Sequence, residues 1–325
     1  MPLPRPLLAL GPDDRRRKPL NLGLQGGGAH GAFTWGVLDA LLECDGLSFD
    51  GISGASAGAR AKLTAVWQAI AGTTPAALLP ATGLPTDAWL GIASRMVSPY
   101  QFNPFDVDPL RHVLTRTIDF DALRRHSPLH LYVAATDVAD GKARLFGTAE
   151  LSREVLLASA CLPHLRQAVR IGDRHYWDGG YSANPPVLPL VFERTAADTL
   201  IVLIDSAEQA QVPTSASAIA RRLGSLAFNA PLRREIEMIE HWRALSGEGV
   251  AFGSRRQRRL RRHRFHLIEA GDATADLAPA SKLYPVWSLL EKLRDLGRAA
   301  ASAWLDRHAD ALGTRSTVDL AARFL

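Results

Sequence analysis

Cysteine is scarce in this chain: Cys44 and Cys161 are the only two among 325 residues. Two lone cysteines build no disulfide framework, and the pattern fits a reducing, cytoplasmic compartment. Long apolar runs are lacking as well, so no segment reads as a bilayer span. The N-terminus does not have the order of a secretory signal. Leu7-Leu8-Ala9-Leu10 is too short an apolar core, and the charges of Asp13-Asp14-Arg15-Arg16-Arg17-Lys18 follow it instead of preceding it. Residues 1–18 read as a disordered leader. No internal repeat is visible. Acidic residues are outnumbered, 33 against 38 Lys and Arg, for a formal net charge of +5. The excess gathers in one stretch: Arg255, Arg256, Arg258, Arg259, Arg261, Arg262 and Arg264. No aromatic residues interleave with these arginines, which argues against a platform for single-stranded nucleic acid. The stretch reads first as a solvated basic face or loop. Its sharper reading is contact with an anionic membrane through Arg255–Arg264.

What is present suits a sizeable core. The apolar share, 47%, is ordinary for a globular protein, and the length suits one large domain with or without an appendage. Leu20 to Leu24 alternates like a strand and runs into Gly26-Gly27-Gly28-Ala29-His30-Gly31. A helical pattern follows, with Phe33, Val37, Leu38, Leu41 and Leu42 on one face. Phe49 to Ser53 reads as a second strand, 72–87 as a loop or cap, and 88–100 as a short helix. His130 to Thr136 and Leu200 to Asp205 read as buried strands, and Leu151 to Ala160 as a helix ended by Pro163. From about residue 214 the pattern is helical, apart from a strand at Phe265 to Ile268. Strands alternating with helices predict a parallel sheet covered on both faces.

Three short stretches carry chemistry. Gly54-Ala55-Ser56-Ala57-Gly58, between a strand and a helix, reads as a nucleophile elbow, its glycines admitting a turn too tight for Cβ atoms. The helix start beneath Ser56 would favour developing negative charge. Gly26-Gly27-Gly28 lets successive backbone N–H groups converge on one anion, a bound phosphate or a transient oxyanion. The same run fits a dinucleotide fingerprint, with Glu43, Asp45 or Asp50 as the ribose acid. The next strand, however, ends in the serine turn, not in an acid. Trp177-Asp178-Gly179-Gly180-Tyr181 places a carboxylate on a turn free to approach another turn closely; alone it would be a simple Asx-turn. His126, His130, His164, His175, His241, His263, His266 and His308 lie on polar or mixed stretches and read as surface residues.

Taken together, Gln25-Gly26-Gly27-Gly28-Ala29-His30-Gly31-Ala32-Phe33, Gly51-Ile52-Ser53-Gly54-Ala55-Ser56-Ala57-Gly58, Ala158-Ser159-Ala160-Cys161-Leu162-Pro163 and Trp177-Asp178-Gly179-Gly180 resemble the patatin-like phospholipase family. The resemblance runs from about residue 19 to 205, and the C-terminal portion is similar to the helical extension of a bacterial subgroup. It implies an α/β fold: a three-layer α/β/α architecture with a mainly parallel central sheet and a helical C-terminal extension. The corresponding division is a leader at 1–18, a catalytic domain at 19–210 and a mainly helical extension at 211–325. It further implies a Ser–Asp dyad without a catalytic histidine. Ser56 would be the nucleophile and Asp178 the base, with Gly26, Gly27 and Gly28 as the oxyanion hole. Gly31, Gly54, Gly58, Gly179 and Gly180 would support these motifs. No metal or other cofactor is implied, and the substrate would be a phospholipid or other acyl-ester lipid.

Three departures from the family pattern are visible, one of them Arg166, which stands just after the Ser-Ala-Cys-Leu-Pro turn where the bacterial subgroup looks apolar. The family often carries Arg or Lys where this chain has His30. Behind Ser56 the connection is shortened, and Arg60 and Lys62 fall where a buried helix would carry apolar residues. A buried cation without a partner is costly. A weakened or inactive homologue, acting as a lipid- or protein-binding module, therefore stands as the second reading.

Overall fold

The computed structural model describes residues 17–54, 67–68, 71, 97–205, 212–245, 254–271, 274, 277, 279–282 and 285–325. Eight strands form one sheet: β1 (Lys18–Leu24), β2 (Leu47–Gly54), β3 (His130–Asp137), β4 (Ala143–Gly147), β5 (Val169–Ile171), β6 (Arg174–Asp178), β7 (Asp198–Leu203) and β8 (Arg264–Glu269). The order is β5-β6-β3-β2-β1-β7-β8, with β4 also paired to β3. The centre, β3-β2-β1-β7-β8, is parallel. The three pairs at the other end, β3 with β4, β3 with β6 and β5 with β6, are antiparallel. The sheet is thus mainly parallel and mixed at one end.

The helices are α1 (Ala32–Glu43), α2 (Pro99–Phe102), α3 (Pro109–Thr117), α4 (Phe120–His126), α5 (Arg153–Ser159), α6 (Leu188–Glu193), α7 (Ala216–Leu245), α8 (Arg255–Arg262), α9 (Trp287–His308) and α10 (Leu320–Phe324). Alternation along β7 sorts them into two layers. Leu200 and Val202 face one core with Phe33, Trp35 and Leu41 of α1 and Leu290 and Leu293 of α9. Ile201 and Leu203 face the other, with Val191 of α6, Leu232, Ile236 and Ile239 of α7, and Phe324 of α10. A strand buried on both sides needs apolar residues at every position, which is why Leu200 to Ile204 reads as a continuous apolar run. A third core, under the antiparallel end, packs Val155 and Ala158 of α5 against Val133, Phe146 and Tyr176.

The C-terminal portion is woven into this frame. β8 extends the sheet beside β7. Gly297 lets the backbone of α9 lie against α1, where a Cβ would meet the Phe33 carbonyl oxygen at 2.0 Å. Arg298 then pairs with both Asp39 and Glu43 of α1.

One edge of β3 positions the site. Tyr132 and Val133 pair with both β2 and β4, while Ala135 and Thr136 pair with both β4 and β6. A residue has one neighbour per edge, so β2 and β6 share the edge opposite β4. β2 runs parallel to β3 and ends with Gly54 beside Val133. β6 runs the opposite way and ends with Asp178 beside Ala135. The two strands meet tip to tip, two residues apart along β3, about 7 Å at the usual strand rise.

Several expectations change. β4, β5 and β6 and the helices α3 and α4 had no counterpart in the sequence reading. Of the short helix expected at 88–100, residues 88–96 lie outside the described residues, and Pro99–Phe102 form a single turn. Lys18, expected in the leader, opens β1.

Candidate active site

The glycine loop leaves β1 under firm restraint. Gln25 is 2% exposed. Its Oε1 accepts from the N–H groups of Ile204 and Asp205 at 2.7 and 2.9 Å, and its Nε2 donates to Asn229 of α7 at 2.7 Å. The loop is thereby tied to the end of β7 and to α7 at once. The Gly26 N–H donates to Asn184 Oδ1 at 2.7 Å, so this first of the three expected donors is engaged within the protein. No hydrogen bond among the described residues uses the N–H of Gly27 or Gly28. Gly28 has φ of 57°, and a Cβ there would stand 2.4 Å from the Lys282 carbonyl oxygen; only glycine fits. Behind it, Gly28–Gly31 wind a single 3₁₀ turn into α1.

Asp178 closes β6 and starts the next 3₁₀ turn. Its Oδ1 accepts the Gly180 N–H at 2.7 Å, the Asx-turn that the sequence suggested. Two further bonds fix its backbone. The Asp178 N–H donates to the Cys161 carbonyl at 2.8 Å. Thr136 Oγ1 donates to the Asp178 carbonyl at 2.7 Å and meets Ser182 Oγ at 2.8 Å. A Cβ on Gly179 would stand 2.2 Å from the Ala134 carbonyl oxygen, and one on Gly180 2.3 Å from the Phe228 ring. Both glycines therefore serve close approach, the first to β3 and the second to α7. Burial pushes the Asp178 carboxyl up to about 6, against the Gly180 N–H and the Arg166 charge, which both favour the ionised form. Arg166 is itself held by Asp108 at 2.6 Å.

Ser56 and Gly58 lie outside the described residues, as do Arg60 and Lys62. The strand that leads to them is clear. Gly54 has φ of 152°, and a Cβ there would meet the Leu24 carbonyl oxygen at 2.4 Å, so the chain leaves β2 pressed against the end of β1. Beyond the elbow, the Trp67 ring lies 3.5 Å from the Cβ position of Gly31, returning the chain to the glycine loop.

Asn184 is the residue that sequence reasoning missed. Its Oδ1 holds Gly26, and its Nδ2 donates to the Phe228 carbonyl at 3.3 Å. Phe228 in turn covers Gly180 and stacks edge-on with Tyr181, ring centroids 4.9 Å apart. Asn184 thus joins the glycine loop to the aspartate turn through α7. Its one signal in the sequence is its place four residues after the Asp-Gly-Gly turn.

Other candidates resolve into structure. Cys161 is fully buried, donates its Sγ–H to the Gln167 carbonyl at 3.1 Å, and burial pushes its thiol up to about 12. Of the rival ribose acids, Asp50 accepts three hydrogen bonds from Thr195 and Ala196, and Glu43 pairs with Arg298. His263 and His266, expected at the surface, are 2% and 0% exposed. His263 meets Thr199 Oγ1 at 2.8 Å, and His266 bridges Asp198 and Thr317 at 3.0 Å each. The arginine stretch is not uniformly solvated either. Arg259 donates to the carbonyls of Val191 and Ala196, and Arg264 pairs with Asp198 at 2.7 Å. Arg255, Arg256, Arg258, Arg261 and Arg262 are exposed on α8. Among the described residues, no cluster of three His, Cys, Asp or Glu could hold a metal ion, and no helix is long and apolar enough to cross a membrane.

No curated protein sequence matches the chain. The family profile described as patatin-like phospholipase matches residues 22–191, more than half of the chain. That span runs from β1 through the glycine loop, the serine elbow and the aspartate turn into α6. The chain belongs to the patatin-like phospholipase family, whose members are typically lipid acyl hydrolases.

Proposed function

We propose that this protein is a serine hydrolase of acyl-ester lipids, of the phospholipase A or lysophospholipase kind, working through Ser56 and Asp178. The observation that carries this reading is the shared edge of β3, where the end of β2 and Asp178 meet tip to tip. Ser56 follows Gly54 by two residues, so the serine turn and the carboxylate start from neighbouring points.

Ser56 Oγ attacks the ester carbonyl carbon, and its proton passes to the Asp178 carboxylate. The carbonyl oxygen becomes an oxyanion that accepts hydrogen bonds from the N–H groups of Gly27 and Gly28, with Gly26 anchored on Asn184. The C–O bond to the alcohol then breaks, and the alcohol leaves with the proton from Asp178. Water attacks the acyl-enzyme carbonyl as Asp178 takes its proton; the bond from the acyl carbon to Ser56 Oγ then breaks, Asp178 returns the proton to Oγ, and the fatty acid leaves. A carboxyl raised to about 6 is a stronger base than an ordinary aspartate, yet is mostly ionised at neutral pH. Each open oxyanion donor is worth about 10²- to 10³-fold in rate. The exposed guanidiniums of α8 add a basic face on which an anionic lipid surface would rest.

The test measures fatty-acid release from phospholipid and covalent labelling by a fluorophosphonate probe. Ser56→Ala is expected to lose both, and Asp178→Asn to lose turnover. Equal rates in wild type and both variants would sink the proposal.

A further inference from the structure

The matched family region ends at residue 191, yet a turn far beyond it touches the glycine loop. Pro279–Lys282 form a single 3₁₀ turn. The Lys282 carbonyl oxygen stands where a Cβ on Gly28 would come within 2.4 Å. One residue earlier, Ser281 Oγ lies 2.7 Å from His30 Nε2. Lys282 Nζ pairs with Asp205 at 2.5 Å, and the Asp205 N–H donates to Gln25. Two consecutive residues, Ser281 and Lys282, thus reach the loop at His30 and Gly28, and Lys282 also reaches its stem through Asp205.

His30 is well suited to a fixed strut. It is 2% exposed, and burial together with the Lys282 charge pushes its ring down to about 4. The ring is neutral at physiological pH, so its bond to Ser281 does not vary with small pH changes. The opposite side of the loop is held by Asn184 at Gly26 and Asn229 at Gln25. Without the bond between His30 and Ser281, the loop would lose the side-chain hydrogen bond that ties it to the 279–282 turn. Consecutive glycines have the widest choice of backbone conformations, and oxyanion stabilisation depends on donors already aimed.

We propose that Ser281 and His30 are positioning residues of the active site: their hydrogen bond braces Gly27 and Gly28 in the geometry that receives the oxyanion, so the C-terminal portion completes the catalytic machinery. The inference rests on the reading of Gly27 and Gly28 as oxyanion donors. The same brace explains how this chain accommodates a histidine at position 30. A neutral, buried ring needs a hydroxyl partner within reach, and the 279–282 turn supplies one.

The experiment compares wild type, Ser56→Ala, Ser281→Ala, Ser281→Thr and His30→Gln on a soluble p-nitrophenyl ester, with thermal melting alongside. Ser281→Ala is expected to lower kcat about 10-fold or more with KM within about twofold. Its melting temperature should be close to that of wild type. Ser281→Thr keeps the hydroxyl and should recover most of the rate. The rate of fluorophosphonate labelling of Ser56 should fall in parallel in Ser281→Ala, because that adduct also places an oxygen in the nest. If Ser56→Ala is inactive while Ser281→Ala and His30→Gln turn over like wild type, the brace is overturned and the hydrolase reading stands. A loss in Ser281→Ala that follows melting temperature and is not recovered by threonine also overturns it. Full activity in Ser56→Ala overturns both.

Discussion

Asp178 sits under opposing influences whose balance sets the working pH of the proposed reaction. Burial raises its carboxyl to about 6, while the Arg166 charge and the Gly180 N–H lower it. The base must be ionised to accept the serine proton, so kcat/KM on a soluble ester should rise with pH through an acidic limb near 6. Arg166→Gln removes a charge that favours the ionised form. The limb should therefore move to higher pH, with the alkaline plateau largely retained. A limb that stays in place or moves to lower pH in Arg166→Gln would contradict this assignment. The residue itself was legible in the sequence because a carboxylate before two glycines is an unusual turn. Its environment was not. Neither Arg166 nor Thr136 is near Asp178 in the chain, and Asn184 looks like any polar loop residue until Gly26 is placed against it.

Elements whose sequence alternates between two buried faces, such as β7, announce themselves. β6 does not, because Arg174-His175-Tyr176-Trp177-Asp178 is half exposed and only five residues long. Its strand character comes from pairing with β3 and β5, information absent from local pattern. The arginine helix α8 shows the converse. Seven arginines from 255 to 264 suggested one solvated face, but Leu260 is buried and Arg259 and Arg264 bond inward. Four of the five exposed arginines, Arg255, Arg256, Arg261 and Arg262, offer their guanidiniums to a partner. Replacing them with glutamine should weaken binding to phosphatidylglycerol vesicles by about fivefold per guanidinium at low salt. Added salt should weaken wild-type binding likewise. Sedimentation that ignores both salt and substitution would reduce α8 to a solvated surface.

Across the whole molecule, the sheet is continued by segments widely separated in the chain. β8 and the residues after α9 meet at Asp198, which accepts hydrogen bonds from Arg264, His266 and the Gly313 N–H. These partners hold the Asp198 carboxyl well below the usual carboxylate range, despite its burial. A depressed carboxylate contributes stability that is present above its unfolded pKa, 3.8, and is lost as pH falls further. Asp198→Asn should therefore cost about 3 kcal/mol at pH 7, read from urea denaturation, because Arg264 loses its buried counter-charge and meets an NH2 group where Oδ2 accepted. The difference from wild type should shrink below pH 3. An equal cost at both pH values would assign the loss to packing instead. His263 and His266 could not be placed from sequence for the same reason. His263 stands between Arg262 and Arg264 and His266 two residues beyond, where both look solvated, and Thr199, Asp198 and Thr317, all distant in the chain, draw them inside.

The edge of β3 on which β2 and β6 meet has an evolutionary consequence. Val133 and Ala135 contribute no reacting group, yet their separation sets the gap between the two halves of the site. They act as a gauge block. A single residue inserted between them would lengthen that gap by about 3.4 Å and turn the side chains beyond it to the opposite face of the sheet. Connections that leave both pairing positions in place can change length without disturbing that spacing. Within this architecture, insertions should be purged from the three residues Val133 to Ala135, although none of them carries a reacting group.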